Sequence, residues 1–211
     1  MVQVVFNIKS SEKMIARRMR DAIKQEARSF LAARIKRIRD RTRLIVGNYI
    51  MNSPEVQDLI NGRLQTELGV VDPAEQMTGI VETWSRSIHV VVKPPRKYKD
   101  GIQMGFRLLG IKGDWADVLA SGFGVYTTMK GSDIPWLGWL LVGGRGIIVR
   151  DFDIAFGYPM FSRTGDAIML QGSGWRVPAS AQGTTTNNFA TRAIDKCLPA
   201  IETMIIAELT K

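Results

Sequence analysis

One histidine and one cysteine set narrow limits on the chemistry open to this 211-residue chain. His89 lies between Ile88 and Val90 in a β-branched run, where alternation puts it on one face of a strand. It reads as a structural residue, which leaves no histidine triad and no histidine metal cluster. Cys197 stands beside Leu198 in the last helical segment. It reads as a buried structural thiol, and alone it can form no internal disulfide. The carboxylates leave one local possibility. Asp151 and Asp153, two apart in IVRDFDIAF, would share a strand face and could hold Mg²⁺ as in metal-dependent nucleases. No Glu-x-Lys follows, and the next acid, Asp166, falls in a turn. Turn and surface roles are therefore expected for both. GGRG at 143–146 has the glycines of a phosphate loop without its Gly-Lys-Ser/Thr ending. It reads as a turn, as does GSGW at 172–175. No catalytic residue, metal site or cofactor is predicted.

Charge is more informative. The net charge of +9 is concentrated: residues 9–43 carry 13 Lys and Arg against 4 Asp and Glu, and the remainder is balanced. Arg predominates, and Arg suits bidentate pairing with carboxylates or phosphates. An acidic partner is expected, either an acidic protein surface or DNA bound without sequence preference; solvent alone is the bland alternative. Arg17, Arg18, Arg28, Arg34, Arg37 and Arg41 are the predicted contacts. Replacing Arg34, Arg37 and Arg41 by Glu is expected to block assembly and leave the fold intact.

The elements that position these residues follow from periodicity and punctuation. Val2–Lys9 reads as a short strand. Ser10 and Ser11 can cap a helix that meets no proline and only Gly47 before Met51. Ile15, Met19, Ile23, Ala27, Phe30, Leu31, Ile35, Ile38, Ile45 and Tyr49 recur mostly at steps of three or four, the helical period. A helix over 11–51 would be about 60 Å long, so part of it should project or lie across a neighbouring subunit. A break near Thr42 is possible, where the apolar stripe weakens. Asn52-Ser53-Pro54 and Asp72-Pro73 start two further helices, to about Leu68 and Trp84. Ile88–Lys93 reads as a strand ended by Pro94 and Pro95, with Ile102–Ile111 its antiparallel partner. Arg96, Lys97 and Lys99 give this hairpin a basic tip. Short helices are read at 115–119 and 135–142. Further strands are read over 147–156, as one strand or two around Asp151, over 167–170, and at WRVP. Asn187 or Asn188 caps a last helix to about Leu209, which Pro199 should kink or divide. Pro135 places Trp136, Trp139 and Leu140 on one helical face. They form an apolar anchor, either in the chain's own core or against a neighbour. Trp139→Ala should cost about 3–5 kcal/mol in the first case.

The predicted fold is α+β: a long N-terminal and a C-terminal helix packed on one mainly antiparallel sheet, with an extended hairpin. Residues 1–211 form a single domain. The longest apolar run, Trp136–Val142, is far too short to span a bilayer. No secretory signal is read at the N-terminus, so a soluble protein made in the cytoplasm is expected.

The stretch IPWLGWLLVGG…SRTGDAIML…WRVPASAQGTTTNNFATRAI resembles tailed-bacteriophage virion proteins, above all the tail-completion or neck family that joins head to tail. The carriers of the resemblance are Ser162, Arg163, Thr164 and Gly165, then Gly183, Thr184, Asn188, Phe189, Arg192 and Ala193. PWLGWLL is an addition to the shorter family pattern. The resemblance implies a non-enzymatic ring, commonly sixfold or twelvefold, at the head–tail junction of the virion, made in the host cytoplasm. Its partners would be copies of itself and other neck, portal and tail proteins, with no membrane. A DNA-binding or DNA-processing protein using the basic helix is the competing expectation.

Overall fold

Ser11 starts the longest element. Its Oγ accepts a hydrogen bond from the Met14 N–H at 3.4 Å, and α1 then runs Glu12–Met51 without interruption. The structure, a computed structural model, describes residues 11–98, 101–109, 115–128, 131–158 and 160–210; within the hairpin, the side chains of 92, 94, 95, 97, 98, 101–104, 106 and 108 are not described. The expected Val2–Lys9 strand and Lys99 lie outside the described residues, as does the Lys97 side chain. The break considered at Thr42 does not occur. Thr42 is buried, and its hydroxyl donates to the Ile38 carbonyl at 2.8 Å. Bonded within the helix, the hydroxyl sits in the apolar row without an unmet polar group.

Pro54 opens α2 (Pro54–Asn61) as expected, but the segment to Leu68 is two helices. Gly62 is extended and breaks it, and α3 (Arg63–Leu68) ends at left-handed Gly69. In α4 (Pro73–Ser87), Met77, Ile80 and Trp84 are buried. Trp84 meets Trp115 with ring centroids 5.4 Å apart.

The hairpin is longer than its prolines suggest. β1 (His89–Tyr98) continues through Pro94 and Pro95 and pairs antiparallel with β2 (Gly101–Leu109). The register shifts between Lys93 and Arg96, so both prolines face the single residue Met104. Proline cannot donate to a ladder, and a bulge is where a strand tolerates that loss.

Small elements follow: α5 (Ala116–Leu119), β3 (Tyr126–Thr127) paired with β4 (Asp133–Ile134), and α6 (Trp136–Gly138), which widens into a π-helical turn over Trp139–Gly143. β5 (Phe152–Phe156) pairs with β6 (Ala167–Gln171). Asp151, at φ 61, separates β5 from a bridge between Val149 and Trp175. That bridge is all that forms of the expected WRVP strand. α7 (Phe189–Leu209) runs continuously through Pro199, which neither divides nor ends it.

The molecule is therefore α+β and mostly helical, but among the described residues the strands make three separate two-stranded antiparallel sheets where a single sheet is expected. The core lies where α1, α4 and α7 meet the α6 region, around Ile38, Ile50, Met77, Trp136, Leu140 and Ile194. Among the described residues no helix is long and apolar enough to cross a membrane.

Candidate functional site

The basic helix divides into two parts with different fates. Arg34, Arg37 and Arg41 recur at steps of three and four, which gathers them on one face. All three meet Glu208 of α7. Arg34 Nε donates to the Glu208 carbonyl oxygen at 2.9 Å, Arg37 Nη1 to Oε2 at 3.4 Å, and Arg41 Nη1 to Oε1. The Arg34 guanidinium also lies 3.6 Å from the Phe30 ring centre. Glu208 is 2% exposed. Burial pushes its carboxyl upward, but the hydrogen bonds from Arg41 and Arg37, with their charges, outweigh it and hold the group below its usual range. Arg43, further along, donates to the Arg86 and Ile88 carbonyls at 2.9 and 3.2 Å, where a cation suits the C-terminal end of α4.

This overturns part of the expectation for these arginines. Reversing Arg34, Arg37 and Arg41 would set three carboxylates against buried Glu208, so the fold itself would suffer. Glu208 was also unforeseen, although a signal exists: it occupies the buried face of α7 one step beyond Cys197, Ile201 and Met204. A depressed carboxyl stabilises the fold above its unfolded pKa, and that stability is lost as pH falls through the folded value. Thermal melts between about pH 7 and about pH 3 should therefore fall on the acid side, and Glu208→Gln should flatten that limb while lowering the plateau. An unchanged acid limb would remove the assignment.

The other part of α1 keeps its charge outward. Arg17, Arg18 and Arg28 are exposed, and no carboxylate lies within ion-pair distance of them among the described residues. Arg96 is exposed at the hairpin.

The residues that carried the family resemblance form two knots in the fold. In the first, Ser162 Oγ accepts from the Asp166 and Ala167 N–H groups, each at 3.1 Å, and closes a turn containing Gly165 at φ 84. Thr164 Oγ1 is 3.4 Å from that hydroxyl. Arg163 leaves the turn, lies over the Tyr126 ring at 4.6 Å, and points Nη2 at the Leu68 carbonyl at 3.5 Å. Its guanidinium fills the space a side chain at Gly69 would need.

In the second knot, fully buried Asn188 caps α7. Its Oδ1 accepts from Thr191 N–H at 2.9 Å, and Thr191 Oγ1 accepts from Asn188 N–H at 2.8 Å. Asn188 Nδ2 donates to the Leu141 and Thr184 carbonyls at 3.2 and 3.0 Å. Gly183 lies so close to the Leu140 carbonyl that a Cβ would overlap it. Phe189 is buried beside the cap. Arg192 donates from Nε and Nη2 to Glu55 Oε1 at 3.2 and 2.7 Å, and from Nη1 to Asn187 Oδ1 at 2.8 Å.

Trp136 and Leu140 are buried within the chain, and Trp139 is half-buried against Trp175, ring centres 5.9 Å apart. Trp139 and Trp175 line an apolar groove of about 630 Å³, with Leu68, Ile154 and Ile168. Its charged groups are Arg163 and Glu67, with Thr66 and Thr164 beside them. Burial draws the Arg163 guanidinium down and nearby Tyr126 opposes this. Burial and Asp58 push the Glu67 carboxyl up, against Arg63 and a hydrogen bond from Trp175.

The residues weighed for chemistry are dispersed. Asp151 precedes β5 in the left-handed region. Asp153 accepts from the Ser173 and Gly174 N–H groups at 2.8 and 3.1 Å and from the Ser173 hydroxyl. The Ser173 N–H bond is the largest influence that lowers this carboxyl. Asp153 thus braces the turn at 172–174. His89 is exposed at the start of β1. Cys197 is buried, and burial pushes its thiol up to about 11, which suppresses thiolate chemistry. Among the described residues no three His, Cys, Asp or Glu side chains converge as a metal site would require. Comparison with family models, with curated proteins and with solved structures gave no match.

Proposed function

We propose that this chain is a structural protein of the head–tail interface of a tailed-bacteriophage virion, at the neck, tail-completion or tail-terminator position. It forms a ring, sixfold or twelvefold, that joins portal or connector to tail, and it has no catalytic role. The observation that carries this is the outward half of α1, a helical arm with an uncovered apolar row and free arginines. Such an arm offers a contact surface to a neighbouring component of the assembly. The groups with reactive potential support the same assignment: Asp153, Arg163, Arg192 and Cys197 are each occupied by the fold itself.

The purified chain is expected to sediment as a closed ring, with the mass of six or twelve subunits of 23.6 kDa. A monomer at every accessible concentration would remove the ring. Cleavage of DNA in Mg²⁺ or Mn²⁺ that vanishes on Asp151→Ala or Asp153→Ala would replace this assignment by a DNA-processing one.

A further inference from the structure

Ile15, Met19, Ile23, Ala27, Leu31 and Ile35 stand four apart along α1, so they form one row that turns about 40° around the helix at each step. The row has two halves in different surroundings. From Leu31 onward it passes into the core through Ile38, Thr42, Val46 and Ile50, all buried. Before Leu31 it is uncovered: Ile15 is 42% exposed, Met19 61% and Ile23 53%. α7 ends at Leu209, and its Glu208 meets α1 at Arg34–Arg41. The uncovered half therefore begins just past the end of the covering helix. It is about 28 Å long for residues 12–30 at 1.5 Å per residue.

Arg20, Lys24 and Arg28 each follow a residue of the row by one position and make a parallel basic row beside it. Lys24 is 3.8 Å from Asp21; Arg20 and Arg28 have no carboxylate partner among the described residues. Where α1 is covered, α7 packs on it, and Glu208 meets Arg34, Arg37 and Arg41, which each precede a row residue by one position and so lie on the row's other flank. On the arm, the apolar row and Arg20 and Arg28 beside it have neither a covering helix nor a carboxylate partner among the described residues.

We infer that the uncovered half of α1 docks an amphipathic helix of another protein, whose apolar face continues the packing begun by α7 and whose flanking carboxylates pair with Arg20 and Arg28. The inference rests on the assembly role proposed above, in that a structural part holds partners. A second copy is the poorer occupant, since residues 12–30 carry six basic and three acidic side chains and would oppose like with like. DNA would pair with the arginines but leave Met19 and Ile23 in water.

The test uses two synthetic helical peptides with the same leucine row, one flanked by glutamates and its twin by lysines, and a short DNA duplex as competitor. The full-length chain should bind the glutamate peptide and the twin at least about tenfold more weakly. Met19→Gln with Ile23→Gln should abolish binding while leaving the melting temperature and the sedimenting mass unchanged. Reversing Arg20, Lys24 and Arg28 to Glu should transfer the preference to the lysine peptide. Equal binding of both peptides, or displacement by equimolar duplex, overturns the inference. So does a lowered melting temperature in the glutamine variant, which would place the row inside its own fold, or a smaller assembly, which would place a second copy there. If the chain is monomeric yet discriminates between the peptides, the ring fails and the docking surface stands.

Discussion

Trp136→Ala is expected to destabilise the folded chain by about 3–5 kcal/mol, the range for truncating a buried large aromatic. Trp136 is fully buried and lies among the largest side chains of the core. It begins the short helix that the π-helical turn extends, so the cavity would open where the loop region meets the helices. Trp139→Ala, for which sequence reasoning expects that same range, should cost clearly less. Its ring is half-buried and gives up mainly its edge contact with Trp175. Trp136→Phe separates volume from polarity. The buried indole N–H has no hydrogen-bond partner among the described residues, so phenylalanine sheds an unmet donor and keeps most of the apolar area. Denaturant melts of the three variants should rank Trp136→Ala lowest and Trp136→Phe nearest wild type. If Trp139→Ala matched Trp136→Ala, the distribution of burial between the two tryptophans would be wrong.

Gly183→Ala should be the next most damaging. A methyl group there would overlap the Leu140 carbonyl oxygen and stand 2.9 Å from Asn188 Cβ. Both neighbours are fixed: the carbonyl belongs to the π-helical turn, and Asn188 is held by the capping box. Neither is a flexible side-chain end that could turn away, so backbone must move. Overpacking of this kind costs about 1–3 kcal/mol. The displacement would also stretch the bond from Asn188 Nδ2 to the Leu141 carbonyl, now 3.2 Å. Asn188→Ala removes the cap of α7, worth about 0.5–2 kcal/mol, and leaves the Leu141 carbonyl without that donor. Because the two substitutions disturb one network, their effects should not add. A double variant whose loss equals the sum of the singles would show that Gly183 and Asn188 act separately.

The two knots differ in how visible they are along the chain. Asn188 is readable as a cap because its partner, Thr191, is three residues away and the helical period begins at once. Arg163 reads only as part of a motif. Its contacts, the Leu68 carbonyl and the Tyr126 ring, come from segments distant in sequence, and Gly69 gives no local sign that it must make room for a guanidinium.

By itself the sequence determined the features whose causes are local. Ser11, Pro54, Pro73 and Asn188 set the helix starts, since a cap or an N1 proline acts within a few residues. The four-residue spacing of Ile15 through Ile35 determined that α1 is amphipathic, and composition determined that its surroundings are basic. The β-branched run within Ile88–Lys93 marked β1. The tertiary structure alone decided which faces meet. It sent Arg34, Arg37 and Arg41 to Glu208, more than 160 residues away, and left Arg17, Arg18 and Arg28 in solvent, although all six look alike as arginines on one helix. It let Thr42 stay within α1 by bonding it to Ile38, and carried β1 past two prolines by placing both at a bulge opposite Met104. Among the described residues it kept three strand pairs apart where the pattern suggested one sheet. In each case the deciding energy is burial or pairing between segments far apart in the chain, and side-chain type and spacing encode the capacity for such contacts but not the partner.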